Sequence, residues 1–149
     1  MKVKIGKYKR NGDRKVKVHI DSFDVWSMDH TLALIVLPML KELKKVKHGA
    51  HLVDRTDVPR HLGRIGFEDI NRNQGDLFEG FWGGNGEYYQ ESWDIINLRW
   101  NWVLDEMIFA FEDIVSDEDI VSDNDNFQDR ERVQNGLRLF GKYYRGLWD

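Results

Sequence analysis

The sequence predicts an α+β domain, an N-terminal β-hairpin packed on a small bundle of about three main helices. Two observations carry this. An Asn-Gly pair sits between two short runs of alternating apolar and basic residues, and three later segments repeat apolar residues at helical spacing. With 149 residues and 41% hydrophobic content, the chain has material for one modest core, so a single domain over 1–149 is expected.

Val3 and Ile5 alternate with Lys2 and Lys4, and Val16, Val18 and Ile20 with Lys15, Lys17 and His19, on either side of the RNGDR turn. The pattern gives a hairpin over 2–20 with one apolar and one basic face. A lone hairpin is marginal in water, so the apolar face needs cover, and the helices are the candidates.

The first helix is expected over 28–48. Ser27 or Asp29 can cap it, Lys44, Lys45, Lys47 and His48 suit the negative end of its dipole, and Gly49 supplies a left-handed stop. Leu32, Ile35, Val36, Met39, Leu43 and Val46 form the expected core stripe, and Pro38 should kink the rod. Residues 57–63 read as one short turn, capped by Asp57 and ended by Gly63. From 63 to 90 the chain is rich in glycine and aromatic residues, which predicts a long loop.

A second helix over 92–115 carries a main stripe from Trp93 through Trp100, Val103, Leu104 and Met107 to Ile114. Ile95, Leu98, Trp102 and Phe109 form a second strip on the opposite side, so this helix should be sandwiched at the centre of the domain. The acidic stretch 113–125 repeats the residues DIVSD but is too short for a repeat architecture and reads as an exposed connection. The last helix, 126–147, places Val133, Leu137, Phe140, Tyr144 and Leu147 on one face. Gly136, Gly141 and Gly146 each cost about 1 kcal/mol there relative to alanine, and tight packing against a neighbour is the expected reason.

The chain has no cysteine, which excludes disulfides, thiol chemistry and cysteine-rich zinc sites and fits a reducing cytoplasm. No apolar stretch approaches the length of a bilayer span, so a soluble protein without a membrane role is expected. Lys15, Lys17 and six other basic residues crowd the hairpin, whereas 112–129 is strongly acidic.

Two ionisable residues break the weaker apolar strips: His30 at the head of the first helix and Asp105 between Trp102 and Phe109. They are expected to face each other or a shared pocket. One reading is a structural His-Asp bond between helices; the other is a carboxylate-imidazole site with Asp24, Asp29 or Glu106 that could hold a divalent metal or move protons. No metalloprotease, hydrolase, nucleotide-loop or dinucleotide motif supports an enzyme, and His48 and His51 near Asp54 are adequately explained without a metal. No cofactor is expected. The aromatic residues Phe81, Trp82, Tyr88 and Tyr89 read as a lid or an adhesive surface, and the basic hairpin face around Lys15 and Lys17 as a second, less favoured site that would take nucleic acid.

The stretches DVWSMDHTLALIVLPMLKELKKVKHGA, VDRTDVP, WNWVLDEMIFAFE and RVQNGLRLFGKYYRGLW resemble recurring blocks of a family of small uncharacterised proteins of tailed bacteriophages, including phages of marine cyanobacteria. The resemblance implies a setting, the cytoplasm of an infected host, without a mechanism. In that setting the expected function is non-enzymatic binding of a host or phage macromolecule, most simply a protein. The alternatives are a small metal-dependent hydrolase or nuclease using His30, Asp105, Asp29 and Glu106, and a minor virion component.

Overall fold

The computed structural model describes residues 1–63, 86–116 and 127–148, with side chains for 1–63, 93–116 and 128–148. The architecture is α+β, as expected. Strands β1 (Lys2–Tyr8) and β2 (Arg14–His19) form an antiparallel pair, followed by α1 (Ser22–Trp26), α2 (Met28–Val46), a 3-10 turn (Arg55–Asp57) and α3 (Arg60–Gly63). Then come α4 (Gly86–Ser116), α5 (Phe127–Tyr143) and a closing 3-10 turn (Tyr144–Gly146).

The hairpin forms where Asn11-Gly12 allows it. Gly12 sits at φ 83°, its N–H donates to the Lys9 carbonyl at 3.0 Å, and the Lys9 N–H donates to the Asp13 carbonyl at 2.9 Å. Such a three-residue loop needs a left-handed residue before the second strand, and glycine supplies it without steric cost. The register pairs Val3 with Val18 and Ile5 with Val16, and Lys2 with His19 and Lys4 with Lys17. Cross-strand partners share a face, so one side of the ribbon is apolar and the other basic.

Helix α4 is the axis of the molecule, packing against α2 on one side and α5 on the other. Trp100, Val103, Leu104, Met107 and Phe111 fill the core from its main stripe, joined by Ala33 and Leu40 of α2 and by Leu139 and Tyr143 of α5. The expected central helix is therefore present, but it begins at Gly86 rather than 92, which makes 86–90 helical instead of loop. After Gly86, EYYQE contains no breaker and offers good helix formers, so the helix extends back to the glycine. The rest of the expected loop, 64–85, residues 117–125 of the acidic connection and residue 126 of the expected last helix lie outside the described residues, while 113–116 are the last turn of α4.

Two core faces differ from the sequence expectation. On α2 the buried positions are Ala33 and Leu40, with Val36, Leu37 and Leu43 packed beside them, whereas Leu32, Met39 and Val46 are exposed. On α5 the buried contact runs through Gly136, Leu139 and Tyr143; the expected Leu137, Phe140 and Leu147 are packed against the core as partly buried neighbours, and Tyr144 points outward. Helix α2 ends at Val46, α5 ends at Tyr143 before the closing turn, and α2 continues through Pro38 on its exposed side.

The glycines of the last segment divide. A Cβ at Gly136 would lie 2.3 Å from the Glu106 carbonyl oxygen, so α4 and α5 meet backbone to backbone there. A Cβ at Gly146 would lie 2.7 Å from the His51 ring, whereas Gly141 has no neighbour within 4 Å, and its presence has no packing explanation.

Candidate interaction surface

The N-terminal arm, β1 through α1, contributes no residue to the buried core. Val3, Ile5, Val16 and Val18 remain 40, 52, 54 and 54% exposed on the apolar side of the hairpin. Helix α1 adds Phe23 and Trp26, whose rings stack at 6.5 Å with an interplanar angle of 20° while staying 77 and 83% exposed. Polar contacts hold the arm together: the Asp24 carboxylate accepts from the Asp21 N–H at 2.7 Å and from the Met1 ammonium at 2.8 Å, and His19 Nε2 lies 3.2 Å from Asp21. The ammonium bond is the largest influence holding the Asp24 carboxyl below its ordinary range, followed by the Asp21 N–H.

The hairpin is also electrically distinct. Residues 1–20 carry eight basic side chains against Asp13 alone, which leaves 14 basic against 25 acidic in the remainder of a chain with 22 and 26. On the basic face Lys4 stands directly opposite Lys17, with Lys15 two residues before Lys17 on the same side. Like charges facing each other across a strand pair disfavour the hairpin slightly, and an anionic partner relieves that repulsion.

The residues proposed for chemistry are dispersed. Asp105 is exposed and ion-paired to Lys44, one rung of a ladder that includes Lys41 to Glu112 at 2.7 Å and Lys47 to Asn97 at 3.2 Å. His30 lies fourteen residues before Lys44 on the same helix, roughly 20 Å along its axis. The expected meeting of His30 with Asp105 therefore does not occur, because a helical wheel fixes the angle of a residue and not its height. Asp29 is exposed inside the first turn of α2, where it faces the positive end of the dipole; Ser27 is the N-cap and makes no side-chain cap bond. Glu106 is buried, held by Arg132 through Nε at 2.9 Å and Nη2 at 2.8 Å, and the same guanidinium lies 3.8 Å from the Phe109 ring centroid. Among the described residues, no three His, Asp or Glu side chains are grouped as a metal ion would require.

Phe81 and Trp82 lie outside the described residues. Tyr88 and Tyr89 fall in the first turns of α4, but their side chains lie outside the description as well. Lys15 and Lys17 are exposed on the hairpin, as expected.

A buried polar knot was not legible beforehand. Asp57, expected as a helix cap, instead accepts bonds from Lys142 Nζ at 2.5 Å, Tyr143 Oη at 2.6 Å and Arg138 Nη1 at 2.7 Å. Burial alone would raise the Asp57 pKa, but these donors outweigh it and hold the carboxyl below its usual range. Asp54 caps the 3-10 turn, its carboxylate accepting from the Thr56 N–H at 3.0 Å, and its own N–H donates to the Tyr143 hydroxyl at 2.8 Å. That cap, the Thr56 hydroxyl and Lys142 lower the Asp54 pKa to about 2. His51, instead of a metal ligand, is an aromatic packing element with its ring centroid 5.6 Å from those of both Trp100 and Tyr143. Both carboxylate oxygens of the buried Asp57 are matched, Oδ1 by Arg138 and Oδ2 by Lys142 and Tyr143, which is the arrangement of a structural lock.

No family model, curated protein or solved structure matches this chain. Among the described residues no helix is long and apolar enough to cross a membrane.

Proposed function

We propose that the protein is a non-enzymatic binding protein that engages a host or phage protein through its N-terminal arm, with the helical bundle as the scaffold. The observation that carries this reading is the stacked Phe23–Trp26 pair, large and almost fully hydrated, on an arm that supplies nothing to the core. Burying an aromatic side chain removes roughly 150–250 Å² from water, and Trp is among the residues that dominate binding energy at interfaces. A monomer has no use for two such rings in water. The basic side of the hairpin, with Lys4, Lys15 and Lys17, favours a partner whose contact surface is acidic, and it steers the encounter.

The phage setting rests on the resemblance of the sequence blocks. The metal-enzyme reading receives no support from the geometry, since Asp105 and Glu106 are occupied by Lys44 and Arg132 and His30 stands far from both.

The test is affinity capture by the tagged full-length protein from infected cells, with the lysate divided and one half treated with nuclease. The expected result is a defined protein retained in both halves, captured more slowly but still held at high salt. Retention that disappears with nuclease would assign the basic face to nucleic acid and overturn the protein-partner reading.

A further inference from the structure

We infer that residues 1–26 reorient as one body about Ser27, so that the bundle carries the arm without fixing its direction. The inference concerns how the arm is attached, and it stands whether or not a partner binds there.

Of residues 1–26 none is buried, and all but Met1, Gly6 and Asp24 are exposed. The core begins at Ala33 of α2, and none of the hydrophobic residues packed beside it comes from the arm. The strands contact chiefly each other, and α1 touches α2, the helix to which it is joined. Among the described residues, every side-chain hydrogen bond, ion pair and ring contact of residues 1–26 ends inside 1–26. Two parts of one chain keep a fixed relation when a large apolar interface joins them, and relative motion is the default elsewhere. The described residues of the arm and the bundle share no such interface.

The joint is one residue wide. Ser27 closes α1 and opens α2 at φ −113° and ψ 62°, outside the helical region, and its side chain makes no cap bond. Its carbonyl accepts from the Thr31 N–H at 2.9 Å, so the hydrogen-bond ladder of α2 starts there and does not run on from α1. Element-terminal residues of this kind absorb the backbone rotation of a hinge.

On the far side of the joint, Asp24 keeps the arm in one piece. Its carboxylate accepts from the Asp21 N–H at the head of α1 and from the Met1 ammonium at the head of β1, so one side chain ties helix to strand. His19 at the end of β2 adds its contact with Asp21. Within the ribbon, the Arg14 guanidinium lies 4.5 Å from the Tyr8 ring centroid and its Nε donates to the Gly6 carbonyl at 2.8 Å. A two-stranded ribbon is marginal alone, and these ties let it turn with α1 instead of fraying separately.

The test is residual dipolar couplings with amide nitrogen relaxation, on the full chain tagged only at its C-terminus and aligned in an uncharged gel. Couplings average over motions up to milliseconds, and relaxation reports the nanosecond part. The couplings of the arm should fit one alignment tensor of about half the magnitude of the bundle's or less, and its amides should share one shorter correlation time. Asp24→Ala should split the arm, with strands and α1 then needing separate tensors while the bundle couplings stay unchanged. One tensor and one correlation time for the whole chain would overturn the inference. So would near-zero couplings with random-coil shifts through both strands, since such an arm frays and does not turn. A common tensor for strands and α1 retained in Asp24→Ala would overturn the role given to Asp24.

Discussion

Gly136 of α5 lies so close to Ala110 of α4 that a Cβ built on the glycine would stand 2.6 Å from the alanine Cβ. Two helices can approach this closely only where one side chain is absent. Gly136→Ala should therefore destabilise the protein by about 1–3 kcal/mol, although alanine is the better helix former by about 1 kcal/mol. Gly141→Ala, five residues on with no neighbour within 4 Å, should gain up to about 1 kcal/mol. Urea titration of the two variants measures both, and opposite signs are expected.

Acid should loosen the molecule through the Asp57 lock. Asp54 titrates at about 2 in the folded chain against 3.8 in the reference state, and the Asp57 pKa is also lowered. Between those values the unfolded chain binds more protons, so the contribution is fully present above pH 3.8 and lost as pH falls toward 2. Asp57→Asn should cost about 1–3 kcal/mol at neutral pH and flatten that part of the stability profile. Chemical denaturation at pH 7 and pH 3 compares the slopes.

The two neighbouring carboxylates of α4 should behave differently. Asp105→Asn removes an exposed ion pair to Lys44 and should change stability by less than about 1 kcal/mol. Glu106→Gln leaves a buried amide against Arg132 and should cost about 1–3 kcal/mol. Thermal melts of both variants at one pH check the order. An equally large loss at Asp105 would mean that its environment is far less hydrated than the geometry indicates.

The hairpin and the central helix were readable because their signals are local. Asn11-Gly12 sets the turn, and the stripe from Trp100 to Phe111 has only one helical solution. Helix α2 is different: Leu32 to Leu37 is apolar all round the helix, so periodicity could not choose between Met39 and Leu40 as the inward residue. On α5 the contact is made by Gly136, which has no hydrophobic weight in a sequence pattern. The Asp57 lock joins residues more than eighty positions apart, and nothing near Asp57 announces Arg138 or Tyr143. The aromatic pair of α1 was within reach, since six tryptophans exceed what a small core needs, but the surplus could not be assigned to Trp26.

In the proposed function the arm binds while the bundle holds the fold. The most direct test is the double variant Phe23→Ala, Trp26→Ala, measured side by side for melting temperature and for partner capture from infected cells. Since neither ring touches the core, the melting temperature should stay within about 2 °C of wild type, and capture should fall at least tenfold. Undiminished capture, or a melting temperature that collapses with it, would contradict this division of labour.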